Sequence, residues 1–362
     1  MTSHLAVGDA VSNDVIGMCD ALERRGWQAR MFAGSSDLVD RQVYPASEVS
    51  EFLQQPDDLL IYHYSIAWDP GIALLRSVSA RRAIKYHNVT PPEFFAGISP
   101  WHEEKCRIGR EEIKDIVNAD CDLYLADSEF NRLDLLLEGA DEHKSFVVPP
   151  FHHAEYLQMV DADLETLDLY RDGKTNILMV GRIAPHKCHD DLIKAFALYH
   201  HNYKRESRLI IVGKEEAAFA KYSQRLREIT KFLSLDDSVL FVGAAGNREL
   251  KAYYLLSNAF AIASEHEGFC VPIIEAMSMK VPVVAYGSSA IPATIADAGI
   301  VVRPRDPSLM AEALNRVCGD EAVSFAIGQV AAERYRRHFT TAQTEAQLFE
   351  AVASTQTPAA TV

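Results

Sequence analysis

Short apolar runs alternate with amphipathic stretches along the whole chain, in two series. In the first series the pattern predicts strands at Gln28–Ala33, Leu59–Tyr64, Arg82–Tyr86, Leu123–Ala126 and Ser145–Val148. Helical spacing of apolar positions falls at Asn13–Arg25, Glu103–Ala119 and Asn131–Glu138. The alternation restarts with predicted strands at Asn176–Val180, Arg208–Val212, Ser238–Val242, Ala259–Ala263, Pro282–Ala285 and Gly299–Val302. Predicted helices at Asp190–Tyr203, Ala217–Leu233 and Asn247–Leu255 separate them. Strands that alternate with helices indicate parallel sheets covered on both faces. Two such series predict two doubly wound α/β domains, each with its ligand site beyond the carboxyl ends of the strands. The expected boundaries are 1–160 and 161–339, with a linker at about 150–172 marked by Pro149-Pro150 and a charged stretch. Thr340–Ala353 reads as a final amphipathic helix, followed by a frayed tail at Thr355–Val362. The first domain opens on an abbreviated run, Leu5–Val7, before Gly8-Asp9. A short first strand and a trimmed start both fit this pattern.

Composition narrows the functional class. A chain of 362 residues with 48% hydrophobic content exceeds one ordinary core and agrees with two domains. The net charge of −15, without a run of Lys and Arg, argues against nucleic acid as a partner. Residues 1–150 hold 14 basic against 25 acidic residues. Broad docking of that half on an anionic membrane is therefore disfavoured, although a local patch for peripheral contact is compatible with these numbers. The six cysteines, Cys19, Cys106, Cys121, Cys188, Cys270 and Cys318, lack metal-ligand spacing and read as buried thiols of a reducing, cytoplasmic compartment. The amino end lacks a signal-peptide pattern, and no apolar run reaches the length of a membrane span.

Two segments carry candidate chemistry. In Ser264-Glu-His-Glu-Gly-Phe-Cys-Val-Pro-Ile-Ile-Glu-Ala-Met, seven residues separate Glu267 from Glu275. Gly268 frees the backbone and Pro272 suits the first position of a helix, so one carboxylate is expected just before the helix and one in its first turn. A helix start favours phosphate, so carboxylates beside it are better suited to accept hydrogen bonds from sugar or ribose hydroxyls. The plainer alternative for Glu275 is a carboxylate that complements the helix dipole. In Ile177-Leu-Met-Val-Gly-Arg-Ile-Ala-Pro-His-Lys187, a strand leads to Gly181, Arg182 and Lys187. Cations at a strand's carboxyl end can neutralise a diphosphate, or they can simply be solvated loop residues.

Gly181-Arg-Ile-Ala-Pro-His-Lys, Glu267-Gly-Phe-Cys-Val-Pro-Ile-Ile-Glu-Ala-Met and Val281-Pro-Val-Val-Ala together resemble the retaining glycosyltransferases of family 4. The likeness is strongest from Asn176 to Val302. It implies the GT-B fold, two Rossmann-like domains with parallel sheets facing across a cleft, and a last helix that crosses back to the first domain. It implies that Arg182 and Lys187 bind the donor diphosphate and stabilise the leaving group in place of a metal ion. Glu267 would lie against the donor sugar, with backbone N–H groups from Gly268, Phe269, Cys270 and Val271 nearby, and Glu275 would hold the ribose. The turn at Gly243 would meet the base. Where the family has glycine after Phe269, this chain has Cys270, whose side chain would narrow the sugar pocket. His87, in Lys85-Tyr-His-Asn-Val-Thr90, matches a histidine that faces the donor sugar. Its plainer alternative is a structural role after a strand. Gly8 and Asp9 match the acceptor-side turn, where Gly8 permits close backbone approach. Pro91-Pro92-Glu93-Phe94-Phe95 would shape the acceptor side. Ser128 matches a strand-to-helix turn and is also a good helix N-cap.

Rival signals are weaker. Asp120-Cys-Asp122 is a D-x-D, but it precedes a strand where a metal site would follow one, and it reads as a solvated turn. His152-His153 and His200-His201 lack ligand spacing and read as surface pairs. Neither a dinucleotide fingerprint nor a serine elbow is present in the sequence. The expectation is a metal-independent retaining hexosyltransferase without a cofactor. It would use GDP-mannose or a UDP-hexose as substrate and a carbohydrate or lipid-linked glycan as acceptor, in bacterial polysaccharide or glycolipid synthesis at or near the inner membrane face. The alternatives are an epimerase or sugar phosphorylase on the same fold, or a non-catalytic subunit that binds a nucleotide sugar.

Overall fold

The computed structural model describes residues 1–354 and resolves into two compact units. The first comprises Met1–Pro92, Glu104–His152 and the chain from Thr340. Its strands are β1 (Thr2–Leu5), β2 (Met31–Ser36), β3 (Val43–Pro45), β4 (Leu59–Tyr64), β5 (Arg81–Tyr86), β6 (Leu123–Ala126) and β7 (Ser145–Val147). All pairings are parallel, in a sheet ordered β1-β2-β3 and another ordered β4-β5-β6-β7. The amide of His63 on β4 donates to the carbonyl of Met1 just before β1, at 2.9 Å. Beside that junction lies a cavity of about 1120 Å³ lined by residues including Met18, Phe32, Phe52 and Ile61.

Helix Ala10–Arg24 is capped by the Asp9 carboxylate, which accepts from the Ser12 amide. It turns Val15, Met18 and Ala21 inward at helical spacing. Met18 and Ala21 join Ile61, Ala83, Leu123, Leu125, Val148 and Phe151 in the core of this unit. The helix Thr341–Ser354 supplies Leu348, Ala351 and Val352 to the same core, so the end of the described chain packs within the first unit. The expected tail Thr355–Val362 lies outside the described residues.

The second unit comprises Glu93–Glu103 and His153–Phe339. Its strands are β8 (Thr175–Val180), β9 (Ser207–Val212), β10 (Val239–Gly243), β11 (Ala259–Ile262), β12 (Val283–Tyr286) and β13 (Gly299–Val302), all parallel in the order β10-β9-β8-β11-β12-β13. Every residue of β9, β11 and β12 is buried, which explains why these strands are mostly apolar, with Ser207 and Arg208 the exceptions at the start of β9. The strand order reverses between β8 and β11, the place where an open α/β sheet forms its ligand crevice.

Several expectations shift. The stretch read as a linker contains helices Ala154–Met159 and Leu164–Tyr170, and Ala154 and Leu157 are buried in the core of the second unit. The change of unit therefore falls at His152–His153 rather than at 160. The short first strand is β1, which ends at Leu5 where the apolar run was expected to begin, and the three-residue β3 escaped the pattern. Phe94 and Phe95 belong with the second unit, where the Phe95 ring lies 5.7 Å from Phe219 and 6.0 Å from His186.

Leu348 is fully buried among Met18, Ile61 and Leu123. Leu348→Ala is expected to lower the unfolding free energy of the first unit by about 2–5 kcal/mol, measured by chemical denaturation. A loss below about 0.5 kcal/mol would show that the last helix is dispensable to that core.

Candidate active site

In the second unit the site grows from the carboxyl ends of β8 and β11. After β8, Gly181 passes close to Gly213: a Cβ on Gly213 would lie 1.8 Å from the Gly181 carbonyl oxygen, so only glycine fits. The chain then makes a single 3₁₀ turn, Pro185–Lys187, and enters helix His189–Asn202 through Cys188 in the left-handed conformation, with φ of 49°. After β11, the Glu265 amide donates to the His186 carbonyl at 2.9 Å and joins the two loops. That junction places Lys187 Nζ 2.7 Å and 2.8 Å from the two oxygens of Glu267. The lysine side chain is 15% exposed and the glutamate 7%. Ser289 Oγ accepts from the Glu267 amide at 2.7 Å, which fixes this residue from its backbone as well.

The other expected donor-side residues occupy different surroundings. Arg182 is half exposed and pairs with Glu216 at 3.0 Å rather than with Glu267. Glu275 is buried and accepts a hydrogen bond from the Tyr254 hydroxyl at 2.7 Å. Burial pushes the Glu275 carboxyl above its usual range, and the Tyr254 hydrogen bond only partly opposes this. Helix Val271–Ser278 places Pro272 second and Glu275 fifth, because Cys270 is the cap. Glu275 thus lies one residue deeper than the spacing implied, just past the first turn. Gly268 is half-buried, Phe269 packs on Phe339 with ring centroids 5.6 Å apart, and Val271 is half-buried. Cys270 has φ of 78° and is buried, so a residue with a side chain occupies a left-handed position that favours glycine. Gly243 closes β10 with φ of 83°, and its carbonyl accepts from the Gly213 amide at 2.8 Å. His186 and His189 are buried beside Lys187, and burial holds both well below the ordinary imidazole range, His189 at about 3.

The first unit holds a separate polar cluster at the carboxyl ends of its strands. His87 Nδ1 is 2.9 Å from Asp127 Oδ2, and His87 Nε2 is 3.0 Å from His63 Nδ1. Lys85, fully buried, pairs with Asp127 Oδ1 at 2.6 Å and donates to the Val148 carbonyl. Asp14, on helix Ala10–Arg24, accepts from the Phe151 amide at 2.7 Å through Oδ1. Its Oδ2 has no hydrogen-bond partner and lies 3.4 Å from His63, 3.5 Å from His87 and 3.9 Å from Lys85. Burial alone would raise Asp14, but Lys85 and the two histidines hold it well below the carboxylate range. Burial lowers His63 to about 4. Asp14, His63 and His87 bring three atoms of metal-ligand type within 4.8 Å of one another, next to the resident Lys85 ammonium. Gly8 has φ of 76°, and the Asp9 carboxylate is engaged by the Ser12 amide and hydroxyl as a helix cap.

Asp14, His63, Lys85, Asp127 and Tyr254 were not singled out in the sequence. Asp14 carried a signal, since it places a charge on the apolar face of its helix beside Val15, Met18 and Ala21. Ser128 caps helix Glu129–Leu137 by accepting from the Asn131 amide. In the D-x-D, Asp122 accepts from the Arg82 amide at 2.8 Å and stands before β6. His200, expected at the surface, is buried and bonds Ser207 at 3.1 Å.

Comparison with known proteins follows this geometry. The family Glycosyl transferases group 1 matches residues 169–334, in agreement with the resemblance carried by the sequence motifs. A D-inositol 3-phosphate glycosyltransferase of Frankia alni is 31% identical over 201 residues, covering 54% of this chain and 46% of the relative. The mannosylfructose-phosphate synthase of Agrobacterium fabrum is 25% identical over 298 residues, covering 73% and 63% respectively. The chain thus spans about half the length of the curated relatives it matches. The Anabaena Alr3699/HepE structure in complex with UDP and glucose superposes with a TM-score of 0.77 at 15% identity, covering 98% of this chain and 100% of the other. The sucrose-phosphate synthase of Thermosynechococcus elongatus gives 0.75 at 19% identity, covering 97% and 98%. The fold is GT-B, with two Rossmann-like halves. Among the described residues, no helix is long and apolar enough to cross a membrane.

The raised pKa of Glu275 has a stability consequence. On raising the pH, the unfolded chain releases this proton first, so the contribution of Glu275 to stability is full at low pH and falls as pH rises through the folded value. Glu275→Gln keeps an acceptor for Tyr254 and removes the ionisation. The ligand-free variant is expected to match the parent near pH 4 and to exceed it in Tm at pH 7–8, checked by thermal denaturation across pH. A variant less stable than the parent at pH 8 would contradict this.

Proposed function

We propose, from the premise that residues 169–334 form a GT4-type domain of the glycosyl transferases group 1, that the protein is a retaining hexosyltransferase using a nucleotide-sugar donor. The observation that carries this reading is the buried Lys187–Glu267 contact, joining the loops at the carboxyl ends of β8 and β11. A lysine held at such a position is a preorganised point charge for a phosphate. The exposed Arg182–Glu216 pair is weak, so Arg182 is free to turn to the same diphosphate. Together they stabilise the leaving nucleoside diphosphate without requiring a metal ion. Once Lys187 turns to phosphate, Glu267 accepts hydrogen bonds from donor-sugar hydroxyls. Glu275 receives the ribose hydroxyls, and the Gly243 turn meets the base.

Retention follows in this reading from attack on the face that the diphosphate leaves, with the departing phosphate accepting the acceptor's proton. Histidine 87, in the first unit, is the group assigned to a substrate hydroxyl. The Anabaena complex contains UDP and glucose, which makes UDP-glucose the first donor to test, with GDP-mannose beside it. The relatives are named for inositol 3-phosphate and mannosylfructose-phosphate. Phosphorylated polyols and sugars therefore belong in the acceptor screen together with lipid-linked glycans.

A thermal-shift and hydrolysis screen across nucleotide sugars is expected to give stabilisation and slow hydrolysis with one base preferred. Stabilisation by none of them would sink the proposal. Glu267→Gln is expected to lower kcat by about 10²-fold or more with nucleotide affinity preserved. Glu275→Gln is expected to weaken nucleotide binding by about tenfold, the loss of one hydrogen bond to a charged group. If both variants lose only nucleotide affinity, the division of roles between the two glutamates is wrong.

A further inference from the structure

The contacts of His87 limit what it can do at rest. Lys85 anchors Asp127 through Oδ1, and Asp127 Oδ2 faces His87 Nδ1 at 2.9 Å. A bare nitrogen there would oppose a carboxylate, so Nδ1 carries hydrogen and, in a neutral ring, Nε2 carries a lone pair. That lone pair lies 3.0 Å from His63 Nδ1. The contact needs one hydrogen, and His63 must supply it. His87, with its side chain 4% exposed, thus has both nitrogens engaged. A second acceptor competes for the same hydrogen: Asp14 Oδ2, fully buried, ionised, without a hydrogen-bond partner and 3.4 Å from His63 Nδ1. Leaving that oxygen unsatisfied is costly, and a small tilt of the His63 ring would satisfy it. Asp14 cannot cap His87 itself, since an ionised carboxylate has no hydrogen to donate.

We propose that the His63 N–H is a two-position donor that caps His87 Nε2 at rest and passes to Asp14 Oδ2 when a substrate hydroxyl takes its place. His63 and Asp14 are then positioning residues for His87. No proton changes owner: His63 keeps its Nδ1 hydrogen, His87 keeps its own on Asp127, and the freed Nε2 accepts from the hydroxyl. The charged and titratable groups around the pair are Asp14, Lys85, Asp127 and the Met1 amino group, which burial lowers to about 5. With both rings neutral, two carboxylates face one ammonium. The inference rests on the transferase reading only in giving His87 a substrate hydroxyl. The resting arrangement is independent of it.

Nitrogen-15 NMR of histidine-labelled full-length protein tests the resting state directly. At pH 7 without substrate, both His63 and His87 are expected as neutral rings protonated on Nδ1, with His87 Nε2 hydrogen-bonded. His63→Phe removes the cap, and the His87 Nε2 resonance should move to that of a bare nitrogen. His63→Asn, whose amide N–H lies where Nδ1 was, should restore the parent position. Asp14→Asn removes the second acceptor and is expected to lower kcat about tenfold or more, with donor KM within about twofold. If Asp14→Asn does not fold, the two His63 variants carry the test. An Nε2-protonated or doubly protonated His87 at pH 7 would overturn the proposal. Uptake of one zinc ion that perturbs both rings would also overturn it, as would a His87 Nε2 resonance in His63→Phe identical to the parent. If no nucleotide sugar is turned over, the transferase reading fails, and the NMR outcome alone decides the donor arrangement.

Discussion

The second unit depends on one contact, the two-pronged hydrogen bonding of Lys187 to Glu267. A charge pair shielded from water loses hydration that its own attraction only partly returns, so such a pair is weak evidence of stabilisation. Its effect here is on geometry. Each partner sits on a loop that follows a central strand, and the loops are joined by the Glu265–His186 backbone bond. If Lys187 were removed, the Glu267 carboxylate would remain buried with Ser289 attached only to its backbone. If Glu267 were removed, a lysine beside buried His186 and His189 would lose its counter-charge. Their low basicity keeps them neutral, so Lys187 is the only one of these three neighbours that carries positive charge at neutral pH. In the proposed reaction, the donor diphosphate would replace Glu267 as the partner of this lysine. The pair would therefore act as a placeholder that prevents collapse of the phosphate site.

The first unit uses the same device with a different outcome. Lys85 is more deeply buried than Lys187 and is tied to Asp127, to the Val148 carbonyl and, at longer range, to Asp14. No ligand could approach it without dismantling the strand end. Its charge acts at one remove, fixing the Asp127 carboxylate and hence the tautomer of His87. Under the proposed function one buried lysine would exchange its partner for a ligand, whereas the other is locked into the scaffold. Exposure separates them: the Lys187 side chain is 15% exposed and that of Lys85 is 0%.

Most of the fold was legible because the inner strands β4, β6, β8, β9, β11 and β12 are buried on both faces along most of their length. β4, β6 and β13 coincide with the apolar runs, and most other strands differ by a residue or two at their ends. The readings failed where local chemistry and tertiary packing diverge. Ala154–Met159 lies beyond a double proline in a charged neighbourhood, and only its packing on the second core makes it part of that unit. In the site, the motifs named Lys187 and Glu267 as candidates but did not reveal their contact, which requires two loops distant in sequence to be joined by backbone hydrogen bonds. The spacing also placed Glu275 too near the helix start, because the cap is Cys270 in a left-handed conformation that no alternation of apolar and polar residues encodes. His63 was invisible for a related reason. Within Leu59–Tyr64 it reads as one more strand position, and its meaning arises only when β5 brings His87 beside it.

Strain and unmet ionisation gather at the same place. Cys188, Cys270 and Ser289 all have positive φ, and they follow Lys187, open the helix that carries Glu275, and hold the Glu267 amide respectively. Left-handed backbone at residues with a side chain costs about 1–2 kcal/mol each, so three such positions around one contact are not the lowest-energy way to join these strands. Glu275 adds to the cost: buried with a single hydroxyl partner, its ionised form is disfavoured in the free protein. A ligand that brings hydroxyl donors to Glu275 would favour the ionised carboxylate and recover part of that free energy on binding. A phosphate claimed by Lys187 would likewise find its cation already placed. The residues that make the free site strained are therefore those through which a nucleotide sugar would bind most favourably, and affinity would arise as much from relief within the protein as from new contacts.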